Sequence, residues 1–167
     1  MEGLPALVAR IDAALGRAEA WMLGALVAAM TCTTFLQVVC RYAFNSPLVW
    51  SEELARYLFV WIALIGAGAA VRTGGHYGLD LLTQSLPAAL RPWVGGLVSL
   101  IVAVFAAVLL VEGVRETAQA SVQTASSLPI RMHWAYAAIP AGAALMLWHV
   151  AARWATQGFG AHPSDKH

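Results

Sequence analysis

Four long apolar stretches constrain the fold of this chain more than any other feature of its sequence. A helix that crosses the hydrocarbon core of a bilayer needs about 20 consecutive, mostly apolar residues. Stretches of this kind lie at about residues 21–40, 50–71, 93–111 and 134–152. Because backbone polar groups in lipid must find their partners within the segment, helices are expected at all four places. The sequence therefore predicts an all-α membrane protein with four transmembrane helices.

The composition agrees with a chain that lies mostly in lipid. Apolar residue types make up 60% of the 167 residues and charged types only 11%, whereas a soluble domain carries about 25% charged residues. The net charge of +1 offers no strongly basic surface, and no nucleic-acid partner is predicted. Cys32 and Cys40 lie in one apolar stretch, about 12 Å apart along a helix, so they cannot bridge each other.

The residues before the first apolar stretch have an amphipathic pattern. Apolar residues recur at helical spacing and the charged residues lie elsewhere around the helix: Leu4, Leu7, Val8, Ile11 and Leu15 against Arg10, Asp12 and Arg17. This pattern is typical of a helix in the membrane interface. We expect such a helix over residues 1–20 and a tail over 153–167, within a single membrane domain of residues 1–167. A helix that braces another membrane protein is the alternative.

The arginine and lysine residues predict how the chain is oriented, because they are enriched on the cytoplasmic side. Four spans place both termini on the same side, which then holds six of these residues, whereas the opposite side holds four. The first set is Arg10, Arg17, Arg72, Arg91, Arg153 and Lys166, and the second is Arg41, Arg56, Arg115 and Arg131. The count favours cytoplasmic termini.

Charged side chains stand at the start of the second apolar stretch. Ser46, which precedes a proline, and Ser51 are alternative start signals for its helix. Glu52 precedes Arg56 by four positions, the favourable order for an ion pair on a helix. An unpaired charge in lipid would cost roughly 2.5–3.5 kcal/mol, so these groups are expected to be interfacial, paired or in contact with protein. Because Glu53 competes with Glu52 for one arginine, we expect a cationic group on a partner.

Small residues in the second and fourth stretches are candidates for close helix packing. Gly66, Ala67 and Ala70 give the second stretch small faces, and Gly142 does the same in the fourth. Small residues let helices approach each other closely in lipid. Pro140 is expected to kink the fourth helix, because proline removes a backbone donor.

Residue types that could carry chemistry are scattered. His76 and Asp80 are four positions apart, but a catalytic zinc needs three protein ligands, and His133 falls on the opposite side in the expected topology. His149 is the one histidine inside a span, whereas haem held by two histidines needs a second at matching depth. No metal and no cofactor are predicted. The centres of the spans contain no charged residue, which favours a non-catalytic accessory subunit over an enzyme or a carrier.

Two segments resemble a known family. The segment "RYAFNSPLVWSEELARYLFVWIALIGAGAAVRTGGHYGLDLL" looks like the signature region of the small membrane subunit of tripartite ATP-independent periplasmic (TRAP) transporters, and "SLPIRMHWAYAAIPAGAALML" resembles the fourth span of that subunit. The matching positions are Trp50, Ser51, Glu52, Glu53, Arg72, His76, Asp80, Trp134, Tyr136, Pro140 and Gly142. Tyr77 departs from the pattern, which has an aliphatic residue after the histidine.

The resemblance implies a membrane-embedded, non-enzymatic subunit with four transmembrane helices and cytoplasmic termini in a bacterial inner membrane. It implies two protein partners: a large multispanning subunit that carries substrate and sodium ions by an elevator-like motion, and a periplasmic binding protein that delivers the substrate. The substrate would be a small organic anion of the carboxylate or sialic acid class. The small subunit would brace the large one. Candidate contacts with partners are Trp50, Ser51, Glu52, Glu53 and Arg56 at the outer side and Arg72, His76 and Asp80 at the cytoplasmic side.

A standalone four-helix membrane protein is the alternative hypothesis. It would either anchor a redox partner, in which case haem would colour the purified protein, or act as a small homo-oligomeric exporter. An exporter would need a carboxylate within the membrane, so Glu52 or Glu53 would have to lie deeper than the interface.

Overall fold

The computed structural model describes residues 3–73 and 90–158. The described part is helical apart from short connections and one isolated bridge between Thr124 and Arg131. The helices are α1 (Leu4–Ala43), α2 (Val49–Thr73), α3 (Arg91–Gln119), α4 (His133–Tyr136) and α5 (Ala138–Gln157), with one turn of 3-10 helix (Ala120–Val122) after α3. Four helical segments in these ranges, α4 and α5 together forming the fourth, are long and apolar enough to cross a membrane. The prediction of an all-α protein with four spans is confirmed.

Helix α1 joins the expected interfacial segment and the first span into one element. It contains 40 residues, which corresponds to about 60 Å at 1.5 Å per residue, twice the roughly 30 Å of a bilayer core. Leu4, Leu7 and Ile11 are 75%, 52% and 39% exposed, whereas Gly16 and Glu19 are buried against the other helices. The side of α1 that faces the bundle is therefore not the apolar stripe of the sequence.

The turn from α1 to α2 differs in detail from its prediction. Asn45 adopts a left-handed conformation with φ of 50°, which asparagine tolerates better than most residues, and the Ser46 amide donates to the Cys40 carbonyl at 3.0 Å. Helix α2 then begins at Val49, between the two predicted starts, so neither Ser46 nor Ser51 marks its beginning. The hydroxyl of Ser51 donates to the Leu48 carbonyl at 2.7 Å within the first turn.

Helix α5 lies at the centre of the described helices and packs against α1, α2 and α3. Its closest approach to α2 is at Gly142, where an added Cβ would lie 2.7 Å from the Leu64 carbonyl oxygen. A second close approach involves Gly68 of α2, where a Cβ would lie 3.0 Å from Leu145 Cβ. On the α3 side, a Cβ added to Gly113 would lie 2.7 Å from Cγ2 of Ile139.

The other expected packing residues lie at less crowded places. A Cβ on Gly66 would meet its nearest neighbour, Leu23, at 3.9 Å. Ala67 packs against the buried apolar cluster at the α2–α5–α3 contact, and Ala70 is half-buried one turn away. Pro140 lies at the α3 contact, next to Gly113.

Pro140 also interrupts the fourth span. The span consists of α4 and α5, and Ala137 lies between them. Proline has no N–H to donate to the carbonyl four residues earlier, which belongs to Tyr136. The helical hydrogen bonds resume at the next residue, where the Ala141 amide donates to the Ala137 carbonyl at 3.2 Å.

Changing Gly142 to alanine is expected to weaken the contact between α2 and α5. The methyl group would overlap the backbone of Leu64, and overpacking of this kind costs about 1–3 kcal/mol. Thermal unfolding of the purified chain in mild detergent would report the loss as a lower Tm. Gly24→Ala is the matched control, because a Cβ at Gly24 meets no atom within 4 Å. Equal Tm values for the two variants would contradict the role of Gly142 as a close-contact residue.

Candidate functional site

Polar side chains gather at two places near opposite ends of α2. The first group, here called the Glu53 cluster, consists of Glu53, Tyr57, Ser126 and Ser127. The second, the His149 cluster, consists of Asp12, Glu19, Arg72, His149 and Arg153. Each cluster joins segments that are far apart in the sequence.

Glu53 is only 5% exposed, although it lies one turn from the start of α2. Its Oε1 accepts hydrogen bonds from the Tyr57 hydroxyl at 2.6 Å and from the Ser126 amide at 2.9 Å. Its Oε2 accepts from the Ser127 amide at 2.6 Å. Hydrogen bonds to an ionised acceptor are stronger than neutral ones, and here they replace the water lost on burial. The carboxylate thus holds the α3–α4 connection against α2.

The connection itself folds back as a narrow loop. The Ala125 amide donates to the Ile130 carbonyl at 2.9 Å, and the Met132 amide donates to the Gln123 carbonyl at 3.0 Å. Helical structure after α3 ends at Val122, beyond the third apolar stretch and before the serine–proline segment. The amides of Ser126 and Ser127 point to Glu53 instead of continuing a helix.

A cavity of 460 Å³ lies between this loop and the fourth span. Its lining includes Glu53, Tyr57, Val60, Met132, Tyr136 and Ile139. Val60, Met132 and Ile139 are apolar, whereas the Arg56 side chain also lines the cavity, and the Glu53 carboxylate is already held by three donors. The cavity therefore combines apolar walls with one cationic group.

Residues 50–56, here called the charged turn, carry their other charged side chains at the surface. Glu52 accepts a hydrogen bond from Gln37 of α1 at 2.9 Å, and no ion pair joins it to Arg56 within the described ranges. The expected Glu52–Arg56 pair is therefore wrong: the Gln37 amide on the neighbouring helix takes its place. Trp50 is 37% exposed, and Glu52 and Arg56 are also exposed, whereas Ser51 is fully buried.

The His149 cluster connects α1 to α5. The His149 ring lies between two carboxylates, with Nδ1 2.6 Å from Asp12 Oδ1 and Nε2 2.8 Å from Glu19 Oε1. Asp12 and Glu19 are seven positions apart, which places them on one face of α1 two turns apart. The His149 side chain is fully buried, and Glu19 is 2% exposed. Two acids and an imidazole thus fill the space between α1 and α5.

Two arginines complete this cluster. Arg72 Nε donates to Asp12 Oδ2 at 3.3 Å, and its guanidinium lies directly over Gly16, where any Cβ would collide with it. Arg153 donates to the carbonyl of Val71 near the end of α2. A cation at this position satisfies a carbonyl that has no partner within its own helix and complements the helix dipole.

The sequence showed no charged residue at the centres of the spans, but it did not indicate that ionisable groups are buried near their ends. Glu19, Glu53 and His149 are all buried, because the structure extends α1 beyond the first apolar stretch and brings its acids against α5. The available signal was the spacing of Asp12, Gly16 and Glu19, which places two acids and a glycine on one helix face. That signal was masked by the stronger apolar periodicity on the opposite face.

The structure describes only one of the three contact residues expected at the cytoplasmic side. Arg72 is engaged within the chain as described, and His76 and Asp80 lie outside the described residues. Within residues 3–73 and 90–158, no group of three or more His, Cys, Asp or Glu side chains is arranged to hold a metal ion.

Comparison with known proteins shows the family of this chain. Residues 30–158 match the family model described as the DctQ component of tripartite ATP-independent periplasmic transporters. A sialic acid TRAP transporter permease protein of Haemophilus influenzae is 35% identical over 80% of this chain and 22% of its own length. A C4-dicarboxylate TRAP transporter small permease protein of Vibrio cholerae is 37% identical over 44% of this chain and 32% of its own length.

A third relative matches over most of its length. The sialic acid TRAP transporter small permease protein of Vibrio cholerae is 28% identical over 73% of this chain and 70% of its own length. The chain therefore spans a minor part of the first two relatives and most of the third.

Replacing Glu53 with glutamine is expected to loosen the α3–α4 loop. The substitution removes the negative charge and turns one acceptor atom into a donor that faces an amide N–H. Loss of charge-assisted hydrogen bonds costs about 1.5–3 kcal/mol, so the amides of Ser126 and Ser127 should exchange hydrogen about ten- to a hundredfold faster. Hydrogen–deuterium exchange of peptides covering residues 123–132 measures this. Glu52→Gln is the control, because Glu52 is exposed and does not contact the loop. Equal exchange in both variants would rule out the anchoring role.

Proposed function

The chain belongs to the DctQ components of tripartite ATP-independent periplasmic transporters, and we propose that it braces the large membrane subunit of such a transporter. A DctQ component is the small permease subunit, a transport component and not an enzyme. Family membership together with four apolar helices makes the chain a multi-pass membrane protein. Its partners in this proposal are a large multispanning subunit and a periplasmic substrate-binding protein.

The distribution of apolar surface supports a bracing role. Helix α3 packs mainly against α5, and an apolar row along it stays exposed, including Leu97, Ile101, Val104 and Val108 at 56–59%. Lipid or another membrane protein must cover such a row, because water would oppose its exposure. In the Haemophilus relative the matched segment accounts for 22% of one permease chain, so there it is covalently attached to a much longer protein. We take the rest of that chain as the counterpart of the proposed partner.

The proposed cargo is a small organic anion of the carboxylate or sialic acid class, taken up with sodium ions. Relatives are named for sialic acid and for C4-dicarboxylates, which are both organic anions. The buried Glu53 carboxylate accepts three hydrogen bonds from groups of this chain, so it is not available to coordinate a cargo or a coupling ion. This favours a transport site in the large subunit.

The exposed residues of the charged turn are the proposed outer contacts with the partners. Trp50, Glu52 and Arg56 present their side chains at the surface, whereas Ser51 and Glu53 are buried. At the other end, His76 and Asp80 remain proposed contacts. The proposal places the protein in a bacterial inner membrane with both termini in the cytoplasm.

Purification of the tagged chain from native membranes in mild detergent tests the assignment. We expect a stoichiometric large multispanning protein to accompany it. A chain that purifies alone or as a homo-oligomer would instead support a standalone membrane protein.

Reversing the charges at Glu52 and Arg56 is expected to reduce recovery of that partner. The double variant Glu52→Lys, Arg56→Glu keeps the net charge of the chain. It places like charges against each other wherever the partner carries charges complementary to Glu52 and Arg56, and such juxtapositions cost several kcal/mol. We therefore expect at least about a tenfold loss of co-purified partner and a matching loss of uptake. The control is Glu116→Lys, which reverses a charge at an exposed position of α3 to one side of the exposed apolar row. Unchanged recovery in the first variant would remove the charged turn from the interface.

The proposed orientation has a separate test. In a variant with Cys32 and Cys40 changed to serine, a cysteine is introduced by Gln123→Cys in the α3–α4 loop or by Gln157→Cys at the end of α5. Both positions are exposed. A membrane-impermeant maleimide added to spheroplasts should modify the first variant and spare the second until the membrane is opened. The reverse pattern would show that the termini face the periplasm.

A further inference from the structure

The two nitrogen atoms of His149 both face carboxylate oxygens. Nδ1 lies 2.6 Å from Asp12 and Nε2 lies 2.8 Å from Glu19. A neutral imidazole has one donor nitrogen and one acceptor nitrogen, whereas an ionised carboxylate only accepts. With both acids ionised and the ring neutral, one of these two contacts would therefore bring two lone pairs together.

One additional proton resolves this conflict. If His149 carries it, both ring nitrogens donate, and each carboxylate receives one charge-assisted hydrogen bond. If a carboxyl carries it, that carboxyl donates to the bare ring nitrogen, and the other ring nitrogen donates to the second acid. In either arrangement the unit of Asp12, His149 and Glu19 holds one proton more than its fully deprotonated form.

The surroundings make this proton important for Glu19 in particular. Asp12 also contacts Arg72, but among the described residues His149 is the one cationic partner within ion-pair distance of Glu19. From α5, Arg153 is directed to the carbonyl of Val71 instead. A negative charge on the buried Glu19 is therefore compensated mainly by the proton shared with His149. A buried charge that loses its partner is strongly destabilising.

We propose that Asp12, Glu19 and His149 form a proton-dependent lock that holds the first half of α1 against α2 and α5. The lock is closed while the shared proton is present. When the pH rises and that proton leaves, the contact between His149 and one carboxylate becomes repulsive, and the first half of α1 separates from α5. On strong acidification both carboxyl groups become protonated and their ionic contacts with His149 are also lost, so the lock is closed at intermediate pH.

The design of the helix surfaces is compatible with release. Leu4, Leu7 and Ile11 already lie on the exposed side of α1, so a detached segment could rest on a lipid surface without first exposing its apolar residues. Asp12 and Glu19 also precede residue 30, where the family match begins. His149 lies within the matched residues, so the lock joins a segment outside the family match to one inside it, and it does not depend on the identity of the transporter partner.

Distance measurements between spin labels test the lock in the full-length chain. In a variant with Cys32 and Cys40 changed to serine, labels are attached through Leu7→Cys on α1 and Gln157→Cys on α5, both at exposed positions. Pulsed electron–electron double resonance in lipid nanodiscs is then recorded in a series of buffers from neutral to strongly alkaline pH. We expect the short-distance population to disappear toward alkaline pH. A second pair, Thr73→Cys on α2 with Gln157→Cys, should keep its distance and so exclude general unfolding.

Glu19→Gln distinguishes the proton-dependent lock from simple packing. The glutamine amide can donate to one nitrogen of a neutral His149, and the other ring nitrogen can donate to Asp12, so no additional proton is required. This variant should keep the short distance at alkaline pH, where the protein with Glu19 loses it. Glu116→Gln is the matched control, because it makes the same change at an exposed position of α3, and it should open as the unchanged protein does.

His149→Gln provides the opposite case, because its single amide nitrogen cannot satisfy both acids in their observed positions. We expect the long distance at every pH. The proposal is overturned if the distance in the unchanged protein does not depend on pH, or if Glu19→Gln opens at the same pH as the Glu116→Gln control. The second criterion holds even if His149→Gln does not fold.

Discussion

The contact of His149 with Asp12 and Glu19 joins the last helix of this protein to the first half of the first helix. The position of the first half of α1 depends on it, because this part of the helix presents few apolar side chains to the bundle. Arg72 extends the contact to α2 through Asp12, and Gly16 leaves the space in which its guanidinium lies. Charges that a bilayer could not solvate therefore compensate one another across three helices.

Close backbone packing supplies the second constraint, and α5 is its centre. Gly142 brings α5 against the backbone of α2, and Gly113 brings α3 against the residues around Pro140. In lipid there is little hydrophobic force between helices, so contacts that allow dense packing carry much of the association. The fourth span is interrupted at Ala137, close to the loop that Glu53 holds. Close glycine contacts around α5 stabilise the middle of the bundle, and the Glu53 cluster and the His149 cluster stabilise its two ends.

This internal organisation suits an accessory subunit. The buried acids are committed to contacts within the chain, whereas extensive apolar faces of α1 and α3 remain open. The bracing role proposed above requires these two properties: polar clusters held together within the chain, and an apolar exterior for lipid and protein partners. The charged turn adds exposed polar groups at one end of that exterior, with Glu53 holding the neighbouring loop in place.

The fold class, the four spans and the family follow from the sequence alone, because the length of an apolar run and the spacing of a local motif are properties of contiguous residues. The sequence also indicated Gly142 and Pro140, because a small residue or a proline within an apolar helix is visible without any knowledge of its neighbours. It did not determine the partners of Glu52 and Glu53, since Gln37 and the amides of Ser126 and Ser127 reach them from other segments. Nor did it reveal the His149 cluster: whether Asp12 and Glu19 face water or protein depends on where α1 meets α5. Only the tertiary structure decides that, because a charged group can be buried only where another segment supplies its counter-charge.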